Sequence, residues 1–284
     1  MTADEFSLWL RQTPDRRRPL VMGVLNITPD SFSDGGRFAD PSQAVAAALA
    51  MVADGADLID VGGESTRPGS LPIDAVEQIR RVAPVITTIR RQSTVTLSID
   101  TTKGAVASAA LDAGANVVND ISAGRDDSAM LPLIAQRRAP VILMHMQGTP
   151  ATMQLNPSYS DVVSEVSAFL RERSKAAASC GIDPADVLLD PGIGFGKTLE
   201  HNLALLRHAN QLAQIGQPLV IGTSRKAFIA KITGEGPAGD RLLGTAATVA
   251  WSITNGAAVV RVHDVGPIVR VVRMIQAIRA TDPK

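Results

Sequence analysis

Polar side chains able to bind a ligand recur directly after short apolar runs in this chain of 284 residues. Such a junction is typical of a buried strand whose end carries a functional group. The polar residues are Asn26, Glu64, Asp100, Asn119, Asp120, His145, Asp190, Lys226, Arg261 and His263. Carboxylates and amides bind the polar edge of a ligand, whereas Arg, Lys and His bind anions, so the pattern predicts a local site that offers both kinds of contact.

Each of these residues also has a structural interpretation, because Asp and Asn at strand ends often cap a helix or close a turn. Asp100 and Asp190 follow apolar residues directly, where an unpaired carboxylate would be costly, and we interpret both as functional. Asp120 is followed closely by Ser122-Ala123-Gly124, and it is the member best explained as structural. His145 is equally compatible with a ligand-binding role and with a hydrogen-bonded core histidine.

Arg261 and His263 lie two residues apart, so the alternation of a strand places both side chains on one face. A planar guanidinium beside an imidazole predicts a phosphate clamp. An ion pair is the structural alternative for Arg261, and it is less favoured at the mouth of a binding site.

Residues 192–198 (GIGFGKT) partly match a nucleotide-binding loop. A Walker-type loop requires Gly where this chain has Pro191, and a dinucleotide fingerprint requires Gly where it has Lys197. We therefore predict no nucleotide site here. Instead, the glycines allow the backbone to turn sharply and approach a ligand, Phe195 forms an apolar wall, and Lys197 is interpreted as a solvated loop charge.

The segments that must position these residues alternate between two periodicities. Short apolar runs predict strands at Leu20–Thr28, Leu58–Glu64, Thr96–Thr101, Val117–Ser122, Val141–Met146, Val187–Pro191, Leu219–Thr223 and Ala258–Val262. Apolar spacings of three and four predict helices at Gln43–Ala53, Ala75–Arg91, Gly104–Ala113, Ser128–Gln136, Asp161–Ser179, Leu199–Ala213, Leu242–Asn255 and Pro267–Ala280.

Eight alternating units of buried strand and helix favour a closed barrel over an open sheet. The predicted fold class is α/β, a single-domain (β/α)8 TIM barrel whose chemistry lies on the loops after the strands. We assign residues 1–19 to an N-terminal extension and residues 20–284 to the barrel domain. The loops after the first two strands are rich in Gly, Pro, Ser and Asp. They predict a mobile lid that includes Asp30, Ser31, Phe32 and Asp34, with a floppy surface loop as the alternative.

Composition excludes several classes of partner. The 28 basic residues balance 28 acidic ones, which gives no support for nucleic-acid binding. No apolar run reaches membrane-spanning length, the first ten residues carry acids where a signal peptide would be basic, and the single Cys180 cannot form an internal disulfide. We expect a cytoplasmic protein without a tightly held transition metal, although weakly bound Mg²⁺ remains open.

Residues 22–36 (MGVLNITPDSFSDGG) resemble the opening motif of the dihydropteroate synthases, and the motif is long and specific. The resemblance continues in order through residues 63–69 (GESTRPG), 98–101 (SIDT), 119–122 (NDIS), 143–145 (LMH), 190–197 (DPGIGFGK), 224–226 (SRK) and 261–264 (RVHD). It therefore spans every predicted strand.

The resemblance implies an enzyme of folate biosynthesis. Such a transferase condenses 6-hydroxymethyl-7,8-dihydropterin pyrophosphate with p-aminobenzoate, releases pyrophosphate, uses Mg²⁺, forms a homodimer and is inhibited by sulfonamides. It also implies a site for each ligand. Asp100, Asn119, Asp190, Lys226 and Arg261 would bind the pterin; Asn26, Arg261 and His263 the pyrophosphate; Asn26 the metal; and Thr66, Arg67, Pro68, Phe195 and Lys226 the p-aminobenzoate. The implied catalytic residues are Asp100, Lys226, Arg261 and His263.

One position departs from the family pattern. Ala227 stands where many members have Ser, so a hydroxyl contact near the p-aminobenzoate end, and with it sulfonamide sensitivity, is not implied. Two other functions stay open from the sequence: a pterin-barrel methyltransferase that uses methyltetrahydrofolate, and a catalytically silent pterin-binding homologue.

Overall fold

A computed structural model describes residues 1–28, 41–66, 69–234 and 241–280. The short apolar runs form strands β1 (Leu20–Asn26), β2 (Leu58–Gly62), β3 (Thr96–Asp100), β4 (Val117–Asp120), β5 (Val141–Met144), β6 (Val187–Asp190), β7 (Leu219–Ile221) and β8 (Ala257–Val262). They are parallel and close in sequence order into a barrel, which confirms the predicted (β/α)8 fold.

Of the helices, one precedes β1, one follows β8, and the others lie between the strands along the chain. They are α1 (Ala3–Leu10), α2 (Pro41–Ala53), α3 (Ala75–Gln92), α4 (Gly104–Asp112), α5 (Met130–Arg137), α6 (Val162–Ser179), α7 (Leu199–Arg207), α8 (Ala209–Ala213), α9 (Ala227–Thr233), α10 (Leu242–Thr254) and α11 (Val265–Ala280). Among them, none is both long and apolar enough to cross a bilayer.

The predicted boundaries needed three kinds of correction. Seven of the strands end one to two residues before the predicted limit, because the residues after them turn away from the ladder. The predicted helix Leu199–Ala213 is two helices, since the backbone at His208 leaves the helical region. Two helices were not predicted at all, α1 and α9, and neither was the short 3-10 turn Pro184–Asp186.

The register of the barrel gathers polar side chains at one end. Asn26 pairs with Gly62, Gly62 with Asp100, and Asp100 with Asn119, so the last inward positions of four neighbouring strands form one row. Gly62 adds no side chain to this row, which leaves space between Asn26 and Asp100. This end of the barrel is the carboxyl end of the strands, where (β/α)8 enzymes carry their sites.

Helix α1 covers the opposite end of the barrel. Its buried side chains Phe6, Trp9 and Leu10 pack against inward-facing strand residues that include Leu20 and Leu58. A capping box at Thr2 begins the helix, and the backbone carbonyl of Met1 accepts hydrogen bonds from Thr96 at the start of β3. Among the described residues, the barrel interior is therefore packed at this end, and the opposite end, the mouth, is where a ligand can enter.

Candidate active site

A small pocket lies at the barrel mouth, and most of the residues expected to bind ligand line it. These are Thr66, Asp100, Asn119, Asp190, Phe195, Lys226, Arg261 and His263. Val24, Ile121 and Met144 add an apolar floor and side. The structure thus brings together residues from six strands and from several of the loops that follow the strands, although Thr66 and His263 lie 197 positions apart in the chain.

Asp100 is the buried carboxylate of this pocket. Its Oδ2 accepts a hydrogen bond of 2.9 Å from Arg261 Nη2, and its side chain is 6% exposed. The other oxygen, Oδ1, is buried with no partner among the described residues. Burial raises the pKa of Asp100 to about 7, against the opposing effect of the Arg261 cation. An orphaned acceptor of this kind is costly unless a ligand supplies a donor.

Asp60 was not predicted as a site residue, yet it binds two predicted site residues, Arg261 and Asn119. Its Oδ2 accepts from Arg261 Nε at 2.6 Å and from Asn119 Nδ2 at 3.0 Å, and Asp60 is completely buried. The guanidinium of Arg261 is therefore fixed between two carboxylates, Asp60 and Asp100. The ion pair that was the less favoured interpretation of Arg261 is present. The sequence does contain a signal for Asp60, because it is an acid inside the apolar run of β2.

Asp190 and Lys226 face each other across the other half of the pocket. Asp190 Oδ1 accepts from the backbone N–H of Gly192 at 2.7 Å, and burial raises the pKa of this carboxyl. Lys226 donates to the carbonyl of Ile193, and its Nζ lies 4.3 Å above the Phe195 ring centroid, within cation–π range. Burial lowers the pKa of Lys226 to about 7, while the Asp190 charge acts in the opposite direction.

The ends of β7 and β8 are tied together by side chains that flank the pocket. Ser224 Oγ accepts from the backbone N–H of His263 and lies 3.1 Å from its Nδ1. Arg225 adopts a left-handed φ of 59° and makes a two-pronged pair with Asp264, at 3.0 and 2.5 Å. This pair fixes the turn that carries Lys226 relative to the strand that carries His263.

Asn26 lies beside this pocket in the row of strand ends. A Cβ atom placed on Gly62 would lie 3.3 Å from Asn26 Oδ1 and 3.8 Å from Asp100 Oδ2, so both oxygens border the space above Gly62. Oxygen donors suit Mg²⁺. Among the residues that the structure describes, no group of three His, Cys, Asp or Glu side chains could hold a metal, so protein ligands other than Asn26 are scarce here.

The residues next to Thr66 are supported by a buried amide. Gln78 donates to Glu64 Oε2 at 2.7 Å and accepts from Thr101 Oγ1 at 3.1 Å, while the other oxygen of Glu64 accepts from the backbone N–H of Ile73. These bonds join the two ends of the loop after β2 to the end of β3. The remaining predicted loop residues, Asp30, Ser31, Phe32, Asp34, Arg67 and Pro68, lie outside the described residues.

The contacts of three single residues decide between their interpretations. Lys197 is not a solvated charge: it is 3% exposed, and its Nζ lies 2.9 Å from both His145 Nδ1 and the Phe195 carbonyl. His145 accordingly sits behind the pocket as a hydrogen-bonded core histidine. Asp120 accepts from Ser122 and from the backbone N–H of Gly124, which agrees with the structural role predicted for it.

The glycines of the loop after β6 approach protein atoms instead of a ligand. A Cβ on Gly192, at φ 67°, would overlap the His145 carbonyl oxygen, and one on Gly196, at φ 62°, would lie 2.5 Å from the Gln147 carbonyl oxygen. Both glycines are needed because the loop is pressed against the loop that follows β5.

A larger groove of about 650 Å³ lies at the other end of the barrel, beside α1. Its charged residues include Arg11, which pairs with Asp183 and Asp186. It contains none of the orphaned buried acceptors found at the mouth. The mouth is therefore the candidate active site.

Comparison with known proteins gives a family match over most of this chain. A family model described as pterin binding enzyme matches residues 22–263. The dihydropteroate synthase of Synechocystis sp. is 44% identical over 262 residues, which cover 92% of this chain and 91% of that protein.

Solved structures give the same result. The Xanthomonas albilineans dihydropteroate synthase with 4-aminobenzoic acid has a TM-score of 0.88 and 44% identity, and the match covers 93% of this chain and 94% of that one. The Yersinia pestis dihydropteroate synthase in a sulfonamide drug complex also has a TM-score of 0.88, with 41% identity over 93% of this chain and 95% of that one.

Proposed function

The chain belongs to the dihydropteroate synthase family, and we propose that its barrel mouth condenses 6-hydroxymethyl-7,8-dihydropterin pyrophosphate with p-aminobenzoate. The products are 7,8-dihydropteroate and pyrophosphate, and the enzyme is a transferase of folate biosynthesis. The observation that best supports this assignment is the buried, orphaned Oδ1 of Asp100 in a pocket that also presents Asn119 and Asp190.

The pterin half of the site is assigned by matching the polar edge of the pterin ring to the polar side chains of the pocket. A pterin carries adjacent N–H donors and a carbonyl acceptor, which complement a carboxylate such as Asp190, an amide such as Asn119 and the ammonium of Lys226. Asp100 supplies a further acceptor, and Arg261 lies against the ring. Since these groups are buried, a ring without the matching donors and acceptors would leave them unsatisfied and would be rejected.

Asn26, Arg261 and His263 are assigned to the pyrophosphate. Two nitrogens of Arg261 already bind Asp60 and Asp100, so the guanidinium is held as a rigid plane whose Nη1 these carboxylates do not bind. The backbone and side-chain contacts of His263 with Ser224 fix the imidazole beside it. A clamp that is organised before the reaction needs no rearrangement as charge develops on the leaving group.

Mg²⁺ is assigned to Asn26 together with oxygens of the substrate pyrophosphate. The space above Gly62 is bordered by Asn26 Oδ1 and Asp100 Oδ2, a set of oxygen donors that fits this ion. When bound, Mg²⁺ would neutralise part of the charge on the departing pyrophosphate.

The residues of this chain support a dissociative reaction. The bond between the pterin methylene and the pyrophosphate oxygen breaks first, and its electron pair leaves with the pyrophosphate, next to Arg261 and His263. Asp100 stabilises the positive charge that remains at the methylene. The neutral amino group of p-aminobenzoate then forms the new C–N bond and loses a proton, so no strong base is required.

The p-aminobenzoate site is assigned to Thr66, Arg67, Pro68, Phe195 and Lys226. Phe195 offers an apolar wall, and Lys226 above its ring offers a cation. The loop that contains Asp30, Ser31, Phe32 and Asp34 is assigned as a lid that excludes water, which would otherwise capture the cation. Sulfonamides would compete for this half of the site, although Ala227 leaves the strength of that inhibition unassigned.

A homodimer and a cytoplasmic location complete the proposal. Exposed apolar side chains concentrate on four helices in the last third of the chain: Leu203 on α7, Ile232 on α9, Leu243 and Trp251 on α10, and Met274 and Ile278 on α11. A second copy of this chain would cover such a face.

The test of the reaction uses the purified chain with the pterin pyrophosphate, p-aminobenzoate and Mg²⁺. Dihydropteroate that forms only when all three are present supports the synthase. Pterin binding without product would point to the silent homologue, and demethylation of methyltetrahydrofolate in a parallel assay would point to the methyltransferase.

A further inference from the structure

Lys197 is a buried cation that the proposed reaction does not use. It is 3% exposed, and its ammonium is 2.9 Å from His145 Nδ1, 2.9 Å from the Phe195 carbonyl and 3.5 Å from the His145 carbonyl. Burial lowers the pKa of Lys197 to about 7, so a free-energy cost attaches to placing it here. Because burying this ammonium costs free energy and specific acceptors hold it, we expect Lys197 to have a function in the site.

The partner of Lys197 is constrained to one protonation state. When Lys197 is protonated its ammonium is only a donor, so Nδ1 of His145 then carries a lone pair and the ring is neutral. Burial, followed by the charge of Lys197, lowers the pKa of His145 to about 3. The ring is held edge-on to Phe169, with 4.8 Å between centroids, and lies 6.0 Å from the ring centroid of Tyr159. His145 is therefore a fixed acceptor.

The other partner of Lys197 belongs to the loop after β6. The Phe195 carbonyl accepts from Lys197, whereas the Phe195 ring faces the pocket under Lys226 Nζ. The same loop is held from its outer side, where Tyr159 donates to the Gly196 carbonyl and Gln154 to the Gly194 carbonyl, both at 2.8 Å. Lys197 belongs to this loop, and its ammonium binds the carbonyl of Phe195 two residues earlier.

We propose that Lys197 is a positioning residue for the p-aminobenzoate half of the site. Anchored on neutral His145, its ammonium fixes the Phe195 carbonyl and thereby places the Phe195 ring beneath Lys226. The pterin contacts of Asp100 and Asn119 come from β3 and β4 and have no bond to this loop among those described. The other two, Asp190 and Lys226, bond to the loop at Gly192 and Ile193 and not at the Phe195 carbonyl that Lys197 binds. The inference rests on the proposed function, because it assigns Phe195 to p-aminobenzoate.

The test is Lys197→Met, which keeps an unbranched side chain, one heavy atom shorter, and removes its donors. We expect the KM for p-aminobenzoate to rise about tenfold or more, because charge-assisted hydrogen bonds to the loop are lost, while the KM for the pterin pyrophosphate stays within about twofold. The matched control is Lys231→Met, the same substitution at an exposed position near the end of α9, which should leave both KM values unchanged.

A second pair of variants keeps the inference falsifiable if Lys197→Met does not fold. His145→Gln retains an acceptor for the ammonium and should keep a near-normal KM for p-aminobenzoate, whereas His145→Leu removes it and should raise that KM. Equal effects on both substrates, or a folded Lys197→Met with an unchanged KM for p-aminobenzoate, would overturn the inference. Failure of the wild-type chain to make dihydropteroate would instead reject the proposed function.

Discussion

At the level of single residues, Asp60 connects Arg261 and Asn119 in the pterin pocket. Its Oδ2 binds both Arg261 and Asn119, and the barrel register places it between Val24 and Ser98 on the neighbouring strands. Because both partners depend on one buried oxygen, a change at Asp60 acts on ligand binding without touching the ligand. Asp60 therefore positions Arg261 and Asn119, two residues that are assigned to the pterin.

Substitution Asp60→Asn should lower kcat/KM for the pterin pyrophosphate by about tenfold or more. A neutral amide holds Arg261 less firmly than a carboxylate does, and hydrogen bonds to charged groups contribute about 1.5–3 kcal/mol. Steady-state kinetics with each substrate varied in turn would measure this. Ser98→Ala is the control, since it alters a buried neighbour that lacks a bond to Arg261. Equal losses in the two variants would contradict the role of Asp60.

His145 makes a distinct prediction about pH and stability. Its pKa is about 3 in the folded protein against an ordinary value of 6.5. Between these values the unfolded chain binds a proton that the folded protein does not, so the free energy of unfolding falls as the pH drops below 6.5. Between pH 7 and pH 5 the loss from this residue is about 2 kcal/mol.

Urea unfolding of the wild type and of His145→Gln at both pH values isolates this contribution. The wild type should lose about 2 kcal/mol more than the variant over this interval, because glutamine does not titrate there. The same loss in both proteins would show that His145 is already protonated in the folded state.

Among the elements, the strands and most helices could be predicted because each carries a clear apolar periodicity. Helix α1 was missed because its eight residues carry acids and an exposed Leu8 beside the buried Phe6 and Trp9, so only tertiary contacts reveal its buried face. Helix α9 is only seven residues long and gives too little sequence for a periodicity. The site residues at strand ends were predicted from their positions, but the pairings of Asp60 and Lys197 depend on register and on loop contact, which no local pattern encodes.

Helix α1 should stabilise the barrel without influencing catalysis. Phe6 and Trp9 stack with 5.7 Å between ring centroids, and both are buried at the end opposite the mouth. Phe6→Ala should lower the free energy of unfolding by about 3–5 kcal/mol and leave both KM values unchanged. Leu8→Ala lies on the same helix at 69% exposure and should change stability by about 0.5 kcal/mol at most. Similar stability losses in the two variants would show that α1 does not close the barrel.

At the scale of the whole molecule, the exposed apolar face of α10 and α11 predicts how two copies meet. Leu243 is 77% exposed and Met274 is 62% exposed, although both are large and apolar. The double substitution Leu243→Glu and Met274→Glu should convert the proposed dimer into a monomer, because charges at the centre of an interface are costly to bury. Light scattering after size exclusion measures the mass directly.

The control for this experiment is Val76→Glu, on α3. Val76 is as exposed as Leu243, at 77%, but belongs to a different part of the helical ring. This variant should remain dimeric. A monomeric wild-type chain would show that the proposed dimer does not form. A Val76→Glu variant that dissociates, while the double variant remains a dimer, would show that the contact lies elsewhere.

Asp100 has the central role in the proposed reaction, and its buried Oδ1 has no partner among the described residues. The most direct measurement compares the wild type with Asp100→Asn in one assay that follows pyrophosphate and dihydropteroate together, alongside a titration of pterin affinity. We predict equal amounts of the two products in the wild type, turnover lowered by about 100-fold or more in the variant, and pterin still bound through Asn119, Asp190 and Lys226. Unchanged turnover in Asp100→Asn would contradict the account.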